Sequence, residues 1–424
     1  MPRIARLVPV QPIAPRFMNT RLVLCSLGLV SPLCHGAGFQ LHERSASGLG
    51  RAFSGEAAIA DDASVIASNP AGMILLEDEW SFAIGTSAIF PEIEVSGTYA
   101  PPAPAPPGTV VPAHAGNVTD EAYIPYLYLA KRLNDDFSIG FGAYTTFGLK
   151  SDYPLSFPGR TVADFSELVS FNLNPSLAWR ITDQWSIGAG YNALHGDGSL
   201  TATLPNGLPT LDLAGDDWGH GYNLGLLYQA TESTRFGLHY RSKIDLELEG
   251  RAVSVIPAFN GRATLAVELP ASVEFSAVHD FEDWSIHGDV LWTDWSTFQQ
   301  LAPHIIGAPA QPPVTRENWK DTWRFAVGTT WRASETWTFR AGVAYDRAPA
   351  NEADITLRIP DADRFWLSAG FSWEFTPCWT LDVGYTHIFA DDVFITDGSA
   401  ATGVFQGKAA GSGDIVSIGL SAGF

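Results

Sequence analysis

A short polar turn, an aromatic residue, and then a strict alternation of apolar with small or polar residues recur along the whole chain. Copies stand at Trp80-Ser81-Phe82, Phe137-Ser138-Ile139, Trp185-Ser186-Ile187, Trp284-Ser285-Ile286, Trp337-Thr338-Phe339 and Trp379-Thr380-Leu381, with a weaker one at Arg235-Phe236-Gly237. Successive copies lie roughly 40 to 60 residues apart, room for one strand out, a loop, one strand back and a tight turn when a membrane strand takes about ten residues. Seven such pairs predict fourteen antiparallel strands. The sequence stops on Val416-Ser417-Ile418-Gly419-Leu420-Ser421-Ala422-Gly423-Phe424, a period-two strand with a terminal aromatic.

Hydrophobic residues make up 46% of the chain, yet past the first forty residues no run approaches the eighteen or more apolar residues that a membrane helix requires. The apolarity is interleaved instead. In Trp337-Thr338-Phe339-Arg340-Ala341-Gly342-Val343-Ala344-Tyr345 the odd positions would face lipid, and Thr338, Arg340 and Gly342 a lumen. Aromatics at both ends of the odd face match the two interfacial girdles of an outer-membrane barrel. Such a sheet must close, because each unpaired backbone group in hydrocarbon costs several kcal/mol. A soluble all-β domain shares the alternation, but not the Trp and Tyr at strand ends or the common layout of the pairs. The expected fold is therefore an all-β transmembrane barrel of 14 antiparallel strands over residues 80–424, a multi-pass protein of a Gram-negative outer membrane. The net charge of −21 argues against nucleic acid as a partner and suits outer loops that meet divalent ions and lipopolysaccharide.

Met18-Asn19-Thr20-Arg21 followed by the apolar Leu22 to Val30 reads as a secretory signal whose true start is Met18. Small residues near Gly36 place cleavage before Ala37, making residues 1–36 the signal peptide. Cys25 and Cys34 would leave with it, so the mature chain would keep only Cys378 and form no internal disulfide.

Residues 37–79 differ in kind. The stretch Ala37-Gly38-Phe39-Gln40-Leu41-His42-Glu43-Arg44-Ser45-Ala46-Ser47-Gly48-Leu49-Gly50-Arg51, continuing to Met73, is rich in Ala and Gly and lacks period two, and Asp61, Asp62 and Asn69 offer helix caps. Short helices in a compact plug fit better than strands. This stretch closely resembles the N-terminal hatch of the FadL family, outer-membrane channels for long-chain fatty acids and other hydrophobic molecules. Asn172-Leu173-Asn174-Pro175-Ser176, Trp292-Thr293-Asp294-Trp295-Ser296-Thr297-Phe298, Trp319-Lys320-Asp321-Thr322-Trp323-Arg324 and Ile359-Pro360-Asp361-Ala362-Asp363-Arg364-Phe365-Trp366 look like family segments in the family's order. The resemblance covers essentially the whole mature chain and implies a fourteen-stranded barrel plugged by the hatch.

It also implies a mechanism. A lipophilic solute gains about 25 cal/mol for each Å² of apolar surface withdrawn from water, so it needs an apolar path that opens sideways into lipid. In the family, ligand is caught among the outer loops, moves to an inner pocket at the hatch, and leaves through a gap where the third strand kinks. Phe147 and Gly148 match the kink; a glycine at a loop boundary would look the same. Asn69-Pro70-Ala71 matches the hatch motif beside that opening, although a purely structural turn wants the same residues. By resemblance Ala37 and Phe39 line the inner pocket. A fatty carboxylate wants a cationic partner: Lys320 matches the family's pocket lysine, whereas the partnering arginine falls near Ala202 in a stretch with no Lys or Arg. Arg160 is the candidate substitute, with a solvated loop arginine as the alternative. A neutral aromatic or aliphatic hydrocarbon would need no such pair.

Other chemistries are weakly signalled. Gly419-Leu420-Ser421-Ala422-Gly423 fits G-x-S-x-G, but that motif works on a strand-to-helix turn. The histidines lack metal-ligand spacing, and no phosphate-cradling loop implies a nucleotide. The expectation is a passive channel acting as a monomer, without enzyme activity, cofactor or metal; a general porin or an outer-membrane hydrolase are the rivals. The proline-rich stretches 100–107 and 309–313 would be stiff outer loops, either shaping the capture groove or protecting the surface.

Overall fold

The computed structural model describes residues 38–424; the expected signal peptide and Ala37 lie outside the described residues. Fourteen antiparallel strands form the wall: β1 (Trp80–Ala100), β2 (Ala122–Arg132), β3 (Phe137–Tyr144), β4 (Phe165–Arg180), β5 (Trp185–Thr203), β6 (Pro209–Gln229), β7 (Thr234–Arg241), β8 (Ser272–Asp280), β9 (Trp284–Thr293), β10 (Thr322–Arg332), β11 (Trp337–Asp346), β12 (Arg364–Thr376), β13 (Trp379–Ala390) and β14 (Gly403–Gly423). Each pairs with the next in chain order. β14 closes on β1, in register from Ser81↔Gly423 to Ala100↔Val404. The seven aromatic motifs open the seven odd-numbered strands, the weak copy one residue inside β7.

The aromatic that opens an odd-numbered strand meets one near the end of the following strand, its neighbour in the wall. Phe137 pairs in register with Trp179, Trp284 with Trp331 and Trp337 with Trp373, and the rings stack at centroid distances of 6.0, 5.4 and 5.8 Å. Trp185 and Tyr228 stack at 4.3 Å. Apart from the half-buried Tyr228, these rings are exposed on the outer face. There an amphipathic ring sits at the membrane–water interface, and each cross-strand aromatic pair adds about 0.5–1.5 kcal/mol. The short turns mark the periplasmic end and the long loops the external end. At the external end the wall is thickened: Val111–Asn117 pairs on β1, a hairpin of Ile244–Val253 and Gly261–Leu269 pairs on β6, and Val393–Ser399 pairs on β14.

Residues 38–79 fill the lumen. They form α1 (Ala46–Leu49), α2 (Val65–Ser68) and a 3-10 turn, Pro70–Leu75. Ser45 caps α1 by accepting from Gly48 N–H at 3.0 Å. Asn69 caps the 3-10 turn by accepting from Ala71 N–H at 3.1 Å. Asp61, expected as a cap, instead binds Arg51 at 3.0 Å and Arg340 of β11 at 3.1 Å. Arg51–Glu56 at 2.6 Å braces the plug internally, Asp61–Arg340 ties it to the wall, and the wall pair Arg324–Asp289, 3.6 Å apart, reaches the plug backbone at Ala52 O and Gly55 N–H. Removing one member of such a buried pair costs about 3–5 kcal/mol.

Glycines in the wall let the plug's backbone touch it. A Cβ on Gly342 would lie 2.1 Å from the Arg51 carbonyl oxygen, and one on Gly237 1.8 Å from that of Ala57. Neither neighbour is a flexible side-chain end, so neither position accepts a larger residue with the plug seated. We predict that Gly342→Val leaves the barrel folded but dislodges residues 38–79. In planar bilayers the variant should show steady ohmic conductance where the wild type shows little; equal conductance in both would contradict this packing.

Candidate functional site

The wall is interrupted at one place in β3. Its ladder with β4 ends at Tyr144↔Asn172 and resumes at Gly148↔Val169 in the segment Gly148–Asp152. Three residues, Thr145 to Phe147, therefore oppose two, Ser170 and Phe171. This is one residue too many for continuous pairing, the arithmetic of a β-bulge. The freed backbone groups are buried and must find partners. Ser170 supplies two bonds: its Oγ accepts from Phe147 N–H at 3.1 Å and donates to Phe147 O at 2.7 Å. The start of the plug supplies two more. Leu41 N–H donates to Thr146 O at 2.8 Å, Gly148 N–H donates to Phe39 O at 2.9 Å, and Gln40 and Phe147 form a bridge. The N-terminal segment thus runs as a short extra strand along the broken one.

Phe39 is driven into the lumen by that pairing. Its ring lies 4.7 Å from Trp295, 5.1 Å from Phe298, 5.6 Å from Trp319 and 6.1 Å from Phe147, mostly edge to face. Gly38, at φ +62°, could carry no side chain, since a Cβ would stand 2.6 Å from Trp295. The Gly38 N–H donates to Asp361 Oδ2 at 3.2 Å, and Asp361 Oδ1 binds Arg364 at 2.5 Å. Burial pushes the Asp361 carboxyl up to about 7, with the Arg364 guanidinium opposing the shift.

Beside Phe39 lies a cavity of about 40 Å³ lined by Leu149, Leu168, Leu200, Leu248, Leu265 and Phe298 among others. It belongs to the largest apolar cluster of the molecule, which fills the outer half of the lumen. Ligand sites measure about 300–1,000 Å³, so this one is too small to hold a ligand as it stands, and Phe39 forms part of its lining.

Of the residues singled out from sequence, Phe39, Phe147 and Gly148 come together here. Asn69, Pro70 and Ala71 do not touch the break. Asn69 is fully buried and donates to Ala57 O at 2.6 Å and Leu226 O at 3.1 Å, and Ala71 rests against Gly188, so the trio is seated on β5 and β6. Lys320 is exposed, although its neighbour Trp319 belongs to the Phe39 cluster. Arg160 is buried, with Nε bound to Asp164 at 2.5 Å. Sequence reading assigns no role to Trp295, Phe298, Asp361 or Arg364; their sole signal is a place in segments that look like family segments.

Truncating Phe39 removes the ring that four others pack on, a loss of about 3–5 kcal/mol for a buried Phe. We predict that Phe39→Ala keeps the barrel intact but speeds hydrogen exchange at the Leu41 and Gly148 amides at least tenfold. Unchanged exchange there would mean that the segment is held without Phe39.

The family model described as "Outer membrane protein transport protein (OMPP1/FadL/TodX)" matches residues 27–424. The long-chain fatty acid transport protein of Escherichia coli K12 is 33% identical over 421 residues, covering 88% of this chain and 92% of the relative. Outer membrane protein P1 of Haemophilus influenzae is 33% identical over 415 residues, with 87% and 90% covered. Among solved structures, a Pseudomonas aeruginosa FadL homologue superposes with a TM-score of 0.83 at 23% identity, over 92% of this chain and all of that one. The Pseudomonas putida toluene transporter TodX does so with 0.68 at 17% identity, over 90% and 98%. The match along the whole barrel and plug makes this chain a member of the OMPP1/FadL/TodX family of outer-membrane transport proteins.

Proposed function

We propose that the protein is a passive channel for uptake of hydrophobic compounds across the outer membrane, with long-chain fatty acids as the leading substrate class. The observation that carries this reading is the apolar cavity that Phe39 lines, with the Phe39 backbone pairing at the interruption of β3. One movement of residues 38–41 would enlarge the pocket and at the same time strip the partners from the break in the wall. Ligand would pass from an outer-loop groove to the pocket and leave sideways at Thr145–Gly148. On this reading residues 1–36 are the signal peptide and 37–79 the hatch. Ala37 and Phe39 then open the mature chain and line the pocket, and Asn69, Pro70 and Ala71 anchor the hatch to β5 and β6 while its first residues move.

A groove of about 270 Å³ among the outer loops, lined by Pro313, Val314, Arg316 and Ile355 among others, suits the capture step, with the proline-rich loop as one wall. Lys320, exposed at the same end, would attract a carboxylate at this stage, and Arg160, already bound to Asp164, would stiffen the β3–β4 loop. The relative named for fatty acids and the fold neighbour named for toluene keep aromatic or aliphatic hydrocarbons as the second reading. A water-filled porin fits poorly, because the lumen holds a packed plug and an apolar upper half. Hydrolysis also fits poorly. Ser421 lies within the ladder of β14, opposite Ala83 and Thr380, so its G-x-S-x-G is no strand-to-helix elbow. We read the protein as a monomer among outer-membrane lipid and lipopolysaccharide.

Deleting Thr145 would leave two residues facing two and let the β3–β4 ladder run unbroken. The deletion should cut oleate uptake at least tenfold in a Gram-negative host lacking its own channel, while oleate binding to the purified protein persists. Undiminished uptake would show that ligand leaves by another route.

A further inference from the structure

The wall carries a second irregularity, at the outer end of β13. The β13–β14 ladder reaches Phe389↔Ser412, and pairing on β14 resumes at Val393↔Ala409. Three residues, Ala390 to Asp392, therefore oppose two, Ala410 and Gly411, the same arithmetic as at Thr145–Phe147 in β3. The β11–β12 loop closes over this notch, with Asp391 N–H donating to Asp363 O at 3.0 Å. Exposed rings stand just beneath it on the outer face. Phe389 pairs in register with Phe365, and Phe90 of β1 lies opposite Asp414 of β14. Rings at this end of the wall mark the external membrane–water interface, so the notch sits where the outer leaflet meets water.

Behind the notch lies a cavity of about 40 Å³. Its wall side is nearly bare of side chains, being bordered by Gly411 and Gly413, and a Cβ on Gly413 would meet nothing closer than 3.7 Å. Pro360 and Ala362 of the β11–β12 loop line it from within. The next residue back, Ile359, lines the pocket beside Phe39. One short segment of loop thus separates the notch from that pocket. Arg364 also borders the cavity, and its charge is matched by Asp361 at 2.5 Å. About 40 Å³ of free space takes three or so water-sized groups on the scale where one needs about 10–15 Å³. The space is therefore a step in a passage and does not hold a whole chain.

A long alkane scarcely reaches a groove that opens to water. Each CH₂ taken from water into hydrocarbon favours the transfer about fourfold, so sixteen carbons favour the leaflet by about nine orders of magnitude. The groove among the outer loops, with Arg316, Asp354 and Thr396 in its lining, is placed for solutes that arrive through water.

We infer that the notch at Ala390–Asp392 is an entry port through which long aliphatic hydrocarbons dissolved in the outer leaflet pass sideways into the lumen. This rests on the channel reading above and adds to it a second entrance, with the substrate class that needs one. The bond from Asp391 N–H to Asp363 O is the latch. An entering chain parts it and pushes Pro360–Ala362 inward, toward the pocket beside Phe39. The freed backbone groups face interfacial water instead of hydrocarbon, which spares them the cost of an unpaired group inside the membrane. The break in β3 serves exit, and the notch serves entry.

The test uses the full-length protein in outer-membrane vesicles and two probes of equal length. Hexadecane with a terminal diazirine is preloaded into the membrane; palmitate with the same group is added from water. Labelling of Ile359 and Leu168, which line the pocket beside Phe39, is the readout. Deleting Asp391 leaves two residues facing two and closes the ladder, and Gly413→Val fills the cavity without altering chain length. Each should cut pocket labelling by the hexadecane probe at least tenfold and leave labelling by the palmitate probe within twofold, which also reports an intact barrel. Should one variant lose both probes through misfolding, the other decides. Deleting Thr145 should leave hexadecane labelling of the pocket within twofold. Hexadecane labelling that survives both notch variants, or that is lost on deleting Thr145, overturns the port and leaves the channel reading standing. Loss of both probes in both notch variants overturns it as well, because the notch would then serve no separate entrance. Failure of either probe to label the pocket in wild type overturns the channel reading, and the port with it.

Discussion

A strand break in a membrane barrel leaves backbone groups that must be paired, and in this protein the first residues of the plug pair them. The bonds from Leu41 N–H to Thr146 O and from Gly148 N–H to Phe39 O tie the interruption of the β3–β4 ladder to the segment that carries Phe39. In hydrocarbon each lost partner would cost several kcal/mol, so the wall and the N-terminal segment cannot rearrange independently. On the proposed reading, pocket closure and wall closure are one conformational variable, and a channel that opens both by one movement avoids a standing leak.

The lumen divides into a polar half and an apolar half, and each suits its task. Toward the periplasm the plug is braced internally by Arg51–Glu56 and held to the wall by Arg340–Asp61 and by glycines that let backbones meet. Such contacts specify one seating and resist gradual deformation. Toward the outer loops the contacts are aliphatic and aromatic, from Leu168 to Trp319, and repack at small cost around an apolar guest. The two halves meet near Gly38 to Leu41, a segment held by the hydrogen bond to Asp361, the Phe39 ring and the backbone bonds to the break in β3.

Strand number is legible in the sequence because its signals are local. An aromatic opening a period-two run places a ring in an interfacial girdle, and seven copies count seven hairpins; the stacked pairs Trp284–Trp331 and Trp337–Trp373 are the physical reason for the repeat. The site is legible in part. Phe39, Phe147 and Gly148 stand out and do meet, whereas the partners that close the pocket do so over long separations, Gly38 with Asp361 across 323 positions, where no periodicity reaches. The cationic partner is the hardest to read. Lys320 lies exposed and Arg160 is bound to Asp164 four residues on, a local pairing that the spacing could suggest. Asn69–Ala71 resembles a motif beside the break, but the Asn69 side chain bonds to Ala57 and Leu226 instead.

The proposed route runs past Phe39 and out through the break in β3. Photo-cross-linking with a fatty acid that carries a diazirine near its methyl end, followed by mapping of the labelled residues in outer-membrane vesicles, reads that route residue by residue. Labels should fall at Phe39, Leu149 and Phe298 and then at Thr145–Phe147, with none around the periplasmic cavity that Leu75, Asp78 and Cys378 help to line. Labels concentrated in that periplasmic cavity, and absent from Thr145–Phe147, would mean that ligand runs straight through the plug, and would contradict the lateral route.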